Sequence, residues 1–120
     1  MTHFLLVRHG QTEWNRIRRV QGQTDAQLDE VGRDQARLVG ERLASEEGVT
    51  AVYASDLSRA MDTAKAIVSH HPDLEITADQ RMREIGFGPW EGKYWQEFEG
   101  EDAELFQKWR NDITSVTIPG

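Results

Sequence analysis

Cysteine is absent from these 120 residues. That excludes disulfides, thiol catalysis and cysteine metal sites. Positive charge is scarce: 14 Lys and Arg stand against 21 Asp and Glu, a formal net charge of −7. A nucleic-acid-binding chain would usually carry a basic stripe, so no nucleic-acid partner is expected. Long apolar runs are missing too. No stretch approaches membrane-spanning length, and no basic segment leads into the apolar run of a signal peptide. The expectation is a cytoplasmic chain without a membrane partner. Apolar residues make up only 38%, yet this length suffices for one small domain, residues 1–120, and its core. Repeats, low-complexity tracts and linkers are not evident.

What is present alternates between two periods. Phe4-Leu5-Leu6-Val7 is a short apolar run closed by Gly10, the pattern of a buried strand over 4–8. Residues 9–28 are polar and aperiodic, which predicts a functional loop with one helical turn near Thr12–Arg16. Asp29 suits the N-cap of a helix over 30–46, with Val31, Ala36, Leu38, Val39 and Leu43 on one face and Gly48 past its end. Thr50–Ala54 reads as a second strand. Ser55 or Asp56 can cap the next helix, which runs to about Ser69 with Ala60, Ala64, Ile67 and Val68 inward and stops before Pro72. Leu74–Thr77 is a third strand. Glycines and Pro89 make 84–92 a loop, followed by short helices at Tyr94–Glu99 and Asp102–Asn111. Strands alternating with helices imply an α/β layer fold with a largely parallel sheet.

The chemistry starts at the carboxyl end of the first predicted strand, the edge where open α/β sheets bind ligands. Arg8 and His9 arrive there together. A neutral imidazole can attack phosphorus, and a guanidinium fork can hold phosphate oxygens. The attacking nitrogen stays unprotonated only if the other ring nitrogen donates its proton to an acceptor, for which a backbone carbonyl is the expected partner. Arg59, near the start of a predicted helix, can complete the clamp, aided by the helix amino terminus. Local charge of this kind can serve an anionic substrate inside an acidic protein. His70 and His71 are adjacent on a helix end without carboxylates at ligand spacing, so they read as structural rather than as a metal pair. Trp14, Trp90, Trp95 and Trp109 read as packing residues or as the wall of an apolar pocket.

Three ordered stretches resemble the histidine phosphatase superfamily, which includes phosphoglycerate mutases and many small phosphatases. They are Arg8-His9-Gly10-Gln11-Thr12-Glu13-Trp14-Asn15 with Gln21-Gly22, Asp25 and Leu28; Ser55-Asp56-Leu57-Ser58-Arg59-Ala60 with Thr63; and Arg83-Glu84-Ile85-Gly86 running to Trp90-Glu91-Gly92. The resemblance implies a three-layer α/β/α phosphoglycerate mutase-like fold. It also implies a metal-independent reaction without cofactor on a small phosphomonoester. His9 would be the nucleophile, Arg8, Arg59 and Asn15 would hold phosphate, and Gln21 and Gly22 would contact substrate. Glu84 would be the general acid, its pKa raised in a dry pocket, with Glu91 serving loop structure. The 84–92 loop and the compact spacing before Glu84 look more like the small phosphatases. A phosphoglycerate mutase and a non-catalytic phosphate-ligand module are the rival expectations.

The sequence departs from the family pattern in one respect. Superfamily members carry a second active-site histidine far downstream, in a late Ser-His-Gly pattern, and this chain has no histidine after His71. A piece of a longer polypeptide, completion by another chain or an exchanged segment, and a short inactive relative all fit. Retention of the earlier catalytic residues favours the first. An incomplete sheet exposes an edge and an apolar face, so oligomerisation or low stability is expected.

Overall fold

The computed structural model describes residues 1–120. In chain order its regular elements are α1 (Glu13–Arg16), α2 (Glu30–Leu43), β1 (Val52–Ala54), α3 (Ser58–Val68), β2 (Ile76–Ala78) and α4 (Gly100–Asn111). Single turns of 3₁₀ helix lie at Gln80–Met82, Gly88–Trp90 and Trp95–Glu97. The residues fall into two compact units, one of residues 1–13 and 25–83, the other of residues 14–24 and 84–120.

In the first unit, β1 and β2 pair in parallel with Val52 opposite Ile76 and Ala54 opposite Ala78. Parallel neighbours need a crossover between them, and α3 lies in that crossover, as the alternating pattern implies. α2 starts where Asp29 caps it: one carboxylate oxygen accepts from the Gly32 amide at 2.7 Å. It ends at Leu43, three residues before the expected end, and Gly48 follows with φ of +77°.

The inward face of α2 matches the expected one at Ala36 and differs elsewhere. Gly32, Ala36 and Gly40 are its buried residues, while Val31 and Leu38 are about half exposed. The reason is backbone proximity. A Cβ added to Gly40 would fall on the Ala66 carbonyl oxygen of α3, and one added to Gly32 would fall on the Gln11 carbonyl oxygen. The i, i+4, i+8 stripe of small residues lets α2 approach its neighbours more closely than branched side chains permit.

The strand expected over 4–8 is not formed. The sheet contains only β1 and β2, and Phe4, Leu5, Leu6 and Val7 are all exposed, Leu6 at 93%. An apolar run without alternation suits a strand covered on both faces, and here these residues have neither a ladder partner nor cover.

The second unit has an aromatic core. Val20, Phe87 and Trp90 are buried, and Trp95, Phe98, Phe106 and Trp109 pack against them. Phe87 meets Trp95 and Trp109 edge-on, with ring centroids 5.4 and 5.2 Å apart. The Trp90 indole N–H, fully buried, donates to Asp102 of α4 at 2.9 Å, which satisfies the one polar atom that its burial would otherwise orphan. These three tryptophans are therefore packing residues. Arg19 ties the loop over 14–22 to residues 92–94: its guanidinium lies 4.8 Å from the Trp14 ring centre and 5.4 Å from that of Tyr94, close enough for cation–π attraction.

Candidate active site

His9 and Arg59 belong to the first unit. The half-buried His9 ring places Nδ1 2.6 Å from the Gly10 carbonyl oxygen. A carbonyl only accepts, so Nδ1 carries the proton and Nε2 is the unprotonated nitrogen of the neutral ring. The backbone acceptor expected from the chemistry is thus the carbonyl of the very next residue. Gly10 is fixed in turn. Its amide donates to the Thr63 hydroxyl at 3.1 Å, and a Cβ on it would fall on the Gly32 carbonyl oxygen. Thr12 and Leu28, both buried, form an antiparallel bridge just beyond, and the Gln11 side chain donates to Asp29 at 2.9 Å.

Arg59 is 2% exposed in the first turn of α3. The sequence suggested Ser55 or Asp56 as the cap of this helix, and neither fills the role. The cap residue is Leu57, with no side-chain capping bond. Ser55 accepts from the Leu57 amide at 3.2 Å, while Asp56 is held by Arg83 through two bonds of 2.6 Å. That fork draws the Asp56 carboxyl below its ordinary pKa, the Arg83 hydrogen bond being the main cause. The cap comes instead from Asp25. Its two carboxylate oxygens accept from the Ser58 amide and hydroxyl at 2.7 and 2.8 Å. Arg8, the other expected clamp residue, is exposed.

Asn15, Gln21, Gly22 and Glu84 belong to the second unit. Asn15 is half-buried in α1, where its carbonyl accepts from the Arg18 amide at 3.2 Å and Arg18 holds φ of +60°. Gln21 and Gly22 are buried. Gly22 has φ of +54°, and a Cβ there would fall on a Glu91 carboxylate oxygen, so both conformation and space require glycine. Glu91 organises this loop as expected. It accepts from the Gln23 amide at 2.6 Å, the Thr24 hydroxyl at 2.8 Å and the Phe87 amide at 3.3 Å. The Glu84 side chain is exposed and accepts from the amide of Ile85 at 2.9 Å; the dry pocket expected around it is not present.

No group of three His, Asp or Glu side chains gathers as a metal site. His71 bonds the Leu43 carbonyl oxygen at 2.9 Å and so links the ends of α3 and α2. A groove of about 300 Å³ beside α2 and α3, lined in part by Ala36, Ala66 and His70, contains none of the candidate residues. No helix is long and apolar enough to cross a membrane. Asp25 and Thr63 are the site-building residues to which sequence reasoning gave no role. Both stand within the quoted motifs, which was the one available signal.

The model of the histidine phosphatase superfamily, branch 1, matches residues 4–120. The chain is 40% identical over 116 residues to phosphoglycerate mutase-like protein 4 of Arabidopsis thaliana, covering 97% of this chain and 50% of the relative. It is 39% identical over 120 residues to the metal-independent phosphoserine phosphatase of the same plant, covering 100% and 50%. The crystal structure of phosphoserine phosphatase from Entamoeba histolytica in complex with 3-phosphoglyceric acid superposes with a TM-score of 0.78 at 32% identity, covering 93% of this chain and 53% of that one. The chain spans about half the length of these relatives.

Proposed function

Because the chain belongs to the histidine phosphatase superfamily, we propose that it carries the phosphoryl-accepting part of a metal-independent phosphomonoester hydrolase acting on a small phosphorylated metabolite. The observation that supports this most directly is the 2.6 Å bond from His9 Nδ1 to the Gly10 carbonyl, which makes Nε2 the nucleophilic nitrogen. In this reading Nε2 forms a bond to phosphorus as the bond from phosphorus to the leaving oxygen breaks. Arg59 and Arg8 neutralise the equatorial oxygens, Asn15, Gln21 and Gly22 contact the substrate, and Glu84 supplies the proton to the leaving alkoxide. Water then cleaves the phosphohistidine, which releases inorganic phosphate and restores His9.

Hydrolysis is favoured over mutase chemistry by the short path from β2 to Glu84. One 3₁₀ turn, Gln80–Met82, occupies it, with no insertion to enclose a substrate. Relatives named for phosphoserine and a structure holding 3-phosphoglyceric acid make phosphoserine and 3-phosphoglycerate the first compounds to test.

The test is an intact mass spectrum after brief incubation with each compound. One added phosphoryl group is expected, labile to acid and absent in His9→Ala. Arg59→Ala should slow its formation about 10²- to 10³-fold, as loss of a transition-state donor does. Phosphate release rather than isomerised phosphoglycerate then separates hydrolase from mutase. Thermal stabilisation by both compounds with no adduct would replace this reading with a phosphate-ligand binding module.

A further inference from the structure

We propose that Thr63 is a positioning residue, whose buried hydroxyl anchors the Gly10 amide to the helix carrying Arg59 and so places the residue whose carbonyl sets the His9 ring. The inference rests on His9 as the nucleophile.

Thr63 is 4% exposed and lies one helical turn beyond Arg59. Its hydroxyl donates to the Arg59 carbonyl at 2.8 Å. Having one proton, it can only accept from its other partner, the Gly10 amide, at 3.1 Å. The Gly10 carbonyl accepts from His9 Nδ1 at 2.6 Å. The directions of all three bonds are therefore fixed: two anchor the Gly10 amide to the backbone of Arg59, and the third joins the imidazole to the carbonyl on the other side of the Gly10 Cα. A threonine bonding the carbonyl four residues back is ordinary within a helix. The bond to Gly10, across 53 residues of sequence, is not explained by the helix.

Removing the hydroxyl strands a buried donor, because Gly10 is buried and packed against the Gly32 carbonyl, so its amide cannot turn to water in place. Relief requires Gly10 to move away from α3, and its Cα takes the attached carbonyl away from Nδ1. The ring then loses the acceptor that selects its tautomer. In the other tautomer the proton sits on Nε2, which cannot attack.

The experiment compares ¹⁵N-labelled wild type, Thr63→Val and Thr63→Ser at about pH 8, above the ordinary imidazole range. Two-bond imidazole spectra report the tautomer, with the His9 signals assigned by their loss in His9→Asn. Wild type and Thr63→Ser should show Nδ1 protonated and Nε2 not. Thr63→Val should show a mixture and form the phosphohistidine about tenfold more slowly, the factor one hydrogen bond carries. A wild-type tautomer pattern in Thr63→Val overturns the proposal. Should Thr63→Val not fold, hydrogen exchange of the Gly10 amide in the wild-type chain decides. Strong protection supports the bond, and exchange at the unfolded rate overturns the proposal. Tautomer control by Thr63 in a chain that accepts no phosphoryl group would keep this inference and overturn the functional reading alone.

Discussion

Glu91 shows how one carboxylate can fix a loop. Its oxygens accept from Gln23, Thr24 and Phe87, and Gly22 is pressed against it at positive φ. Glu91→Ala removes the acceptor from two backbone amides and a hydroxyl at once. The expected loss is about 1–3 kcal/mol, the range for unpairing such donors, measured by urea denaturation. A loss below about 0.5 kcal/mol, typical of surface substitutions, would mean that water replaces the carboxylate freely. At this scale the sequence was partly legible. The chemistry of imidazole required an acceptor beside His9, and the Gly10 carbonyl is one. The loop role of Glu91 was legible from its motif. The partners of Asp25 and Thr63 lie 33 and 53 residues away, and a single sequence holds no periodicity that pairs positions so distant.

Elements were legible where a local rule governs them and not where packing does. Asp29 capped α2 as its side chain predicts, since capping is decided within three residues. The cap of α3 comes from Asp25 instead, because Asp56 is committed to Arg83. Asp25→Ala should therefore cost about 1 kcal/mol in chemical denaturation, the usual worth of a cap, and Asp56→Ala should not act through the helix end. Of the buried face of α2 only Ala36 was legible, because a scale that rewards large apolar residues overlooks the glycines beside it. Gly40→Ala sets two effects in opposition. Helix propensity favours alanine by up to about 1 kcal/mol, while a Cβ against the Ala66 carbonyl oxygen forces the two helices apart, an overpacking cost of about 1–3 kcal/mol. The contact is with backbone, which cannot swing aside, so net destabilisation is expected. A higher unfolding midpoint for Gly40→Ala would show instead that α2 and α3 separate at little cost.

At the scale of the whole molecule, two effects of pH should separate cleanly. The chain carries −7 at neutral pH and is near neutrality at about pH 5.0. Repulsion between copies fades over that interval, while the exposed run Phe4–Val7 stays apolar at every pH. Association should therefore rise from pH 7 to pH 5, measured by sedimentation velocity, and Leu6→Lys should suppress it. Stability should hold over the same interval and fall only below it. Asp79 is drawn from 3.8 to about 2 by the Arg81 hydrogen bond. Asp56, Asp102 and Asp112 are lowered too, chiefly by hydrogen bonds from Arg83, Trp90 and Thr114. A depressed carboxylate gives stability that is complete above its unfolded pKa, because the unfolded chain takes up the proton first, and that is lost as pH falls toward the folded value. For Asp79 the window runs from about pH 4 to about pH 2. The unfolding midpoint should drop across that window and less so in Asp79→Asn, whose own starting stability is lower. A midpoint already falling between pH 7 and pH 5, where none of these aspartates titrates, would show that something other than their protonation governs the loss.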